Sequence, residues 1–364
     1  MTSKTKTSKT KTSKTSKNKT SKNKTIKTKT SKTKTSKNKT IKNKTIKTSK
    51  NKTKTPRFLT NKADIISAIK NISKEDAIAD FEKLCSTNCK TINPASKVGN
   101  DIMDHYFFHH RIETKSKRGI NYFDWIKTNW KTNEPEYRLY KVNLANGKTP
   151  EKARYGVFRL YYGAVNGFKP LIARWLYCKY KPNTKHAILD FSAGWGGRCI
   201  GALSLGLKYI GIDTNTDLRG DYDRLTRDLQ THTSHTPELE LVFKDSATID
   251  YSAYDYDMVF TSPPYFKKTR PTEEYAHMPH YASREDFNTR FLFPAIERAW
   301  THLKKGGVFA LNVPMDVYEE IKSAKLLPPL FAKHPLYIQP RFAKGNPTGK
   351  TEQYKEYIYV WKKI

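Results

Sequence analysis

The first 55 residues contain no acidic residue and no arginine, and their only apolar positions besides Met1 are Ile26, Ile41 and Ile46. A segment with so little to bury cannot build a core, and its 21 lysines repel one another, so residues 1–55 are expected to be a disordered tail. Without arginine or an amphipathic period it does not fit a mitochondrial presequence. Nowhere does an apolar run approach the roughly 18 residues of a membrane span, and the N-terminus lacks the short apolar core of a signal peptide, so a soluble protein with no membrane partner is expected. Cysteine is scarce as well. Cys85, Cys89, Cys178 and Cys199 show no framework spacing, which excludes a disulfide scaffold and fits free thiols in a reducing, intracellular setting. A chain of 364 residues has core enough without such support. One C-x3-C pair with no second pair is a poor zinc signal, and no metal is expected. His105 and His109 share i, i+4 spacing and His110 follows them, but with no carboxylate or cysteine convincingly placed these histidines are assigned to packing or surface roles.

Positive charge is what the chain has in excess. Sixty-eight basic against 34 acidic residues give a net charge of +34, of which the tail carries +21 and residues 56–364 the remaining +13. A polyanion, hence nucleic acid, is the partner this balance implies. For the tail itself two readings stay open: a tether whose lysines displace counterions from phosphate, or a repeat expansion that the protein tolerates.

Beyond residue 56 the composition becomes ordinary, and residues 56–150 are expected to be a mostly helical region with a possible part in target recognition. Apolar positions recur at helical spacing from Ala63, Ser73-Lys-Glu-Asp resembles a second helix start, and Ile102 to Arg111 and Tyr122 to Trp130 read as aromatic-rich helices. In residues 151–364 strands and helices alternate from residue 186 onward. Strands are expected at His186 to Phe191, Tyr209 to Ile212, Leu241 to Phe243, Met258 to Phe260 and Val308 to Val313, with helices at Arg198 to Leu207 and Glu285 to Leu303. Strands joined by helices imply a parallel sheet covered on both faces. Pro335 to Phe342 and Tyr354 to Trp361 are expected to close it as a hairpin.

Two segments of this alternation carry chemistry. Asp190-Phe-Ser-Ala-Gly-Trp-Gly-Gly197 follows a strand and opens a helix, so its glycines let backbone approach a ligand closely. Asp213 ends the next strand, where a carboxylate can accept both hydroxyl hydrogens of a ribose. Alone, this pair does not separate a nicotinamide dinucleotide from an adenosyl cofactor. The discriminator is Thr261-Ser-Pro-Pro-Tyr265, directly after the fourth strand. Pro263 and Pro264 fix φ and lack N–H groups, which leaves a stiff turn with free carbonyls. Ser262 adds an acceptor and Tyr265 a flat face for a base. An exocyclic amine has two N–H bonds, so two acceptors can hold it with its lone pair aimed at an electrophilic methyl group.

These motifs resemble those of the DNA amino-methyltransferases, the enzymes that make N4-methylcytosine or N6-methyladenine, and are similar to a subset met in bacteriophages and large DNA viruses. The resemblance spans roughly residues 155–364. It implies an α/β, Rossmann-like class I methyltransferase fold, a seven-stranded, mostly parallel sheet with a reversed hairpin, and S-adenosyl-L-methionine as cofactor. By resemblance the cofactor-binding residues are Asp190, Ser192, Gly194, Gly196, Asp213 and Asp245, with Gly194 and Gly196 near the methionine moiety, Asp213 on the ribose and Asp245 on the adenine ring. Tyr162-Gly-Ala-Val-Asn-Gly-Phe-Lys-Pro170 is similar to the segment that closes over the cofactor. The catalytic residues would be Ser262, Pro263, Pro264 and Tyr265, and a serine before the prolines leans toward cytosine. Two departures stand out: Ser192 replaces a glycine common in the family, and no long insertion separates Gly197 from Thr261. Target recognition is therefore expected from residues 56–150 and from two basic loops, with Lys267, Lys268 and Arg270 in one and Lys344 and Lys350 in the other, placed to contact phosphates.

The reaction implied is direct methyl transfer to a base taken out of its stack. RNA as substrate, or a non-catalytic nucleic-acid-binding relative, are the competing readings; a nicotinamide oxidoreductase leaves Ser-Pro-Pro-Tyr unexplained. If the tail is a tether, deleting residues 1–55 leaves turnover intact and flattens the salt dependence of DNA binding, because every phosphate that a tail lysine neutralises adds about 0.9 to the steepness of log K against log salt. An unchanged slope would identify the tail as a tolerated expansion.

Overall fold

The computed structural model describes residues 59–364, apart from 91–92, 94, 181, 184, 233–236, 268–270, 272 and 337–355; the expectation for residues 1–55 lies outside the described residues. Six helices come first: α1 (Lys62–Ile69), α2 (Lys74–Ser86), α3 (Asn100–Glu113), α4 (Tyr122–Trp125), α5 (Pro135–Ala145) and α6 (Pro150–Tyr161). Their starts follow from local chemistry. The Asn61 side chain accepts from the N–H groups of Ala63 and Asp64, Ser73 accepts from Asp76, and Thr149 accepts from Lys152 ahead of Pro150. The Tyr122 helix is shorter than expected, because the Thr128 hydroxyl and N–H both turn back to the Trp125 carbonyl and close the last turn.

After α7 (Pro170–Tyr180) the chain alternates: β1 (Ala187–Asp190), α8 (Gly197–Leu203), β2 (Lys208–Asp213), α9 (Arg219–Leu229), β3 (Leu239–Phe243), β4 (Tyr256–Thr261), α10 (Arg284–Phe287), α11 (Phe293–His302), β5 (Val308–Pro314), α12 (Met315–Ser323), β6 (Ala332–Pro335) and β7 (Glu356–Lys362). The seven strands lie in the order β3-β2-β1-β4-β5-β7-β6. The first five are parallel, and β7 runs antiparallel between β5 and β6. This is the seven-stranded, mostly parallel, Rossmann-like sheet with the expected reversed hairpin. The order reverses between β1 and β4, so a crevice opens beyond their carboxyl ends. Both loops singled out in the sequence leave the sheet there.

Other boundaries differ from expectation as well, and the helix expected over Arg198 to Leu207 ends at Leu203. The helix expected over Glu285 to Leu303 is interrupted by a π-turn at Asn288–Leu292, where Pro294 has no N–H to offer and its ring crowds the carbonyl four residues back. The hairpin's first strand is β6, which starts at Ala332 rather than Pro335; the remainder of the expected strand lies outside the described residues.

Residues 55–364 form one compact unit. Successive residues of β1 and β4 serve opposite faces of the sheet. Ile188, Met258 and Phe260 pack with α2, α3, α7 and α8, whereas Leu189 and Val259 pack with Phe287, Ile296 and Phe309. A third cluster, built on Phe108, Tyr122, Trp125 and Phe158, lies among the N-terminal helices. The free-thiol expectation needs correction for one pair. Cys89 and Cys178 are joined by a disulfide, with Cα atoms 5.9 Å apart, while Cys85 and Cys199 are free. Arg174 of α7 brings the pair together by donating to the carbonyls of Cys85 at 2.7 Å and Thr87 at 3.4 Å, a link across the chain that cysteine spacing does not reveal. Among the described residues no helix is long and apolar enough to cross a membrane.

Gly197 is where α8 meets the segment preceding α7: a Cβ there would lie 1.9 Å from the Phe168 carbonyl oxygen. Gly197→Ala is expected to lose about 1–3 kcal/mol through forced backbone movement. Gly220→Ala, in the open at the start of α9 with nothing within 4 Å, is expected to gain up to about 1 kcal/mol. Urea midpoints of the two variants check the pair of signs.

Candidate active site

The loop after β1 is held from behind. Asp190 is fully buried, and its carboxylate accepts from Arg198 Nε at 2.6 Å, the Tyr209 hydroxyl at 2.5 Å and the Ser192 N–H at 3.1 Å. Arg198 Nη2 also donates to the Ser192 carbonyl. Burial alone would weaken the guanidinium, but Asp190 outweighs it and raises the Arg198 pKa above the ordinary arginine value. Asp190 therefore shapes the loop from behind and is not among the residues lining the cavity in front of it. Gly196 also lies outside the cavity lining. Its φ is +70°, and a Cβ would sit 2.6 Å from the Phe107 ring of α3, so glycine is required here by a turn and by helix packing.

Ser192, Gly194, Asp213 and Asp245 do line the cavity. Gly194, at φ +55°, donates its N–H to Asp213 Oδ2 at 2.7 Å, and Asn215 donates to Oδ1 at 2.9 Å. Burial raises the Asp213 pKa against the opposing pull of these two N–H groups. The Tyr222 hydroxyl donates to the Gly194 carbonyl at 2.9 Å, which ties α9 to the loop. Asp245 Oδ1 caps the turn after β3 by accepting from the Ala247 N–H at 2.9 Å.

Across the crevice, Ser262, Pro263, Pro264 and Tyr265 line the same cavity. Its volume is about 1600 Å³, against roughly 300–1,000 Å³ for a typical single-ligand pocket. Gly167 and Phe168, in the segment ahead of α7, border it, as do Tyr155 and Arg159 of α6. Several of its polar groups were not read from the sequence. Asn312 of β5 and Glu356 of β7 meet the Tyr265 hydroxyl at 3.1 and 2.9 Å. Glu273 accepts from the Tyr275 hydroxyl, and the Tyr275 ring lies 5.4 Å from that of Trp195. Burial pushes the pKa values of both Glu273 and Glu356 up. Only the polar residues inside otherwise apolar strands, Asn312 above all, left a signal that could have been noticed in advance.

Of the basic loop residues, Lys267 is exposed; Lys268, Arg270, Lys344 and Lys350 lie outside the described residues. The histidines are placed differently from the i, i+4 pairing of the sequence. His105 Nδ1 meets the Ile72 carbonyl at 2.8 Å, whereas His109 and His110 both reach Asp221 Oδ2, at 3.1 and 2.6 Å, with Arg224 on the other carboxylate oxygen. These contacts fasten α3 to α9.

No family model and no curated protein matches this sequence. Among solved structures, a tRNA methyltransferase from Aquifex aeolicus is similar at 9% identity, covering 55% of this chain and 71% of its own, with a TM-score of 0.36. An O-methyltransferase from Thermotoga maritima is similar at 16% identity over 57% and 70% of the two chains, with a TM-score of 0.35. A glycopeptide N-methyltransferase complexed with sinefungin is similar at 12% identity over 54% and 94%, with a TM-score of 0.36.

Asp190→Ala would leave the Arg198 guanidinium buried without its anion, and a loss of about 3–5 kcal/mol is expected. Chemical denaturation at neutral pH measures it. A loss below about 1 kcal/mol would mean that the pair does not hold the loop.

Proposed function

We propose that the chain is an S-adenosyl-L-methionine-dependent methyltransferase acting on the exocyclic amine of a nucleic-acid base, with DNA cytosine N4 favoured over adenine N6. The observation that carries this reading is the meeting, in one cavity at the β1/β4 reversal, of the Gly194–Asp213 turn with the Ser262-Pro-Pro-Tyr loop. The cavity has room for a cofactor beside an extruded base.

The residues present fit the cofactor. Gly194 offers backbone without a Cβ, and the Asp213 carboxylate, already fixed by two N–H groups, keeps lone pairs for ribose hydroxyls. Asp245 stands by the adenine position. When bound, the cofactor supplies an electrophilic methyl group. Ser262 and the Pro263 carbonyl accept the two N–H bonds of the target amine, and the Tyr265 ring holds the base plane. Because the prolines lock the turn, these acceptors are in place before the base arrives, and alignment supplies most of the acceleration. Phosphate contacts from Lys267 and the other basic loop residues position the strand without reading it.

Asp213→Ala is expected to weaken S-adenosylmethionine by about 1.5–3 kcal/mol, measured by calorimetry. Ser262→Ala, which removes one of two acceptors, is expected to slow single-turnover methylation roughly ten- to hundredfold while cofactor affinity stays near normal. Matched DNA and RNA oligonucleotides, digested to nucleosides and analysed by mass spectrometry, identify the polymer and the base. Undiminished transfer by the Ser262 variant would remove the loop from the reaction.

A further inference from the structure

The Ser-Pro-Pro-Tyr loop does not stand alone: its two hydroxyl groups are hydrogen-bonded into the sheet behind it. Asn312, on β5, is 1% exposed, and its Nδ2 donates to the Tyr357 carbonyl of β7 at 3.1 Å. That bond fixes which way the amide faces. Its Oδ1, an acceptor with no proton, is left pointing at the loop, 3.1 Å from Ser262 Oγ and 3.1 Å from the Tyr265 hydroxyl. Tyr265 has a nearer partner in Glu356 Oε1, at 2.9 Å.

Ser262 and Tyr265 each carry one hydroxyl proton, and Asn312 Oδ1 and Glu356 Oε1 are two acceptors placed to take them. We propose that Asn312 and Glu356 act as positioning residues that set the proton pattern of the loop, drawing the Ser262 and Tyr265 protons into the sheet so that Ser262 faces the cavity as an acceptor only. This rests on the base-amine reading above and deepens it into a rule for the substrate. An incoming base with an N–H at this point finds a lone pair. A base with a carbonyl there meets oxygen against oxygen, and two polar groups are left unpaired. Asn312 thus separates cytosine from uracil, or adenine from hypoxanthine, without touching the base.

Glu356 makes the pattern depend on pH. As a carboxylate it accepts from Tyr265; once protonated it donates instead, and the Tyr265 proton turns toward Asn312 Oδ1, the Asn312 main-chain carbonyl at 3.2 Å or Ser262 Oγ at 3.2 Å. Burial raises the Glu356 pKa, with the Tyr265 and Asn312 contacts opposing it. The titratable and charged groups facing this network are Tyr265 itself and Glu273, with Tyr275 bonded to Glu273 and Arg198 acting on Tyr265 and Tyr275 through its charge. Rate is therefore expected to fall as pH drops through the Glu356 pKa, which burial raises above the ordinary glutamate range.

The test uses the full chain and a mixed-sequence single-stranded DNA substrate, with copies in which every cytosine is replaced by uracil or every adenine by hypoxanthine as competitive inhibitors. The phosphates are the same in all of them, so backbone binding cancels from the ratio of inhibition constant to KM. The wild-type chain is expected to disfavour one of the two carbonyl copies by about tenfold or more. Asn312→Leu is expected to lose that discrimination and to reduce kcat about as far as Ser262→Ala, with the double variant no slower than Ser262→Ala alone and cofactor affinity retained. If Ser262→Ala slows transfer but Asn312→Leu keeps both rate and discrimination, the inference is overturned and the base-amine reading survives. If Ser262→Ala has no effect, the base-amine reading itself fails. Should Asn312→Leu not fold, Glu356→Gln decides: its pH–kcat profile is expected to lose the acid limb of the wild type, and an unchanged limb would overturn the inference.

Discussion

The buried ion pair between Asp190 and Arg198 is the interaction on which the site depends. It stands where β1 ends and α8 begins, with the carboxylate wholly removed from water. A pair so placed contributes little net stability, because desolvation offsets most of the attraction, but neither partner can be left without the other. Its value is geometric. Through it the Ser192 N–H and carbonyl, the Tyr209 hydroxyl of β2 and, by way of the Arg198 carbonyl, the Tyr177 hydroxyl of α7 are all referred to one point. The Gly194 turn thereby takes a fixed place relative to Asp213, which holds it from the front.

Both signs of charge meet at the cavity. The chain as a whole is strongly basic, yet Asp213, Asp245, Glu273 and Glu356 all line the cavity. These carboxylates favour ligands that bring N–H and O–H donors or positive charge, while basic residues that share the lining, Lys97, Lys115 and Arg159 among them, attract phosphate. The proposed reaction needs both: a polyanion held from outside and an amine met within by oxygen.

Much of this was legible in the sequence, and for identifiable reasons. β1, β2 and β5 are short, largely apolar runs ending in Asp190, Asp213 and Pro314, and β4 runs into Pro263 and Pro264, so their order and the two loops at their ends can be read locally. Ser192, Gly194, Asp213, Asp245 and the residues 262–265, singled out from the motifs, line one cavity. What escaped is set by contacts distant in sequence. Asp190 and Gly196 belong to the same motif as Gly194, but one is taken by Arg198 and Tyr209 and the other by the Phe107 ring. The Cys89–Cys178 disulfide and the His109–His110–Asp221 cluster join segments that no spacing rule connects. Pro294 did carry a local signal, since a proline inside a helical pattern marks an interruption, and the π-turn is what that interruption became.

The stiffness of the Ser-Pro-Pro-Tyr loop has two sources that act at different ranges. The prolines restrict φ within the loop itself. Beyond Tyr265 the chain is pinned by aromatic packing: Phe266 stacks on Phe287 at 5.5 Å, and Tyr281 meets the Phe287 ring edge-on at 5.2 Å. Phe287 belongs to α10, on the far side of the sheet from α7 and α8, so the loop is braced by one face of the core while the Gly194 turn is braced by the other. Two rigid supports meeting across the β1/β4 reversal leave little freedom at the point where, in the proposed reaction, nitrogen and methyl carbon would align. Misplacement by about 1 Å can cost on the order of a hundredfold in rate, so in the proposed reaction Phe266, Tyr281 and Phe287 would govern the rate by holding the loop in place.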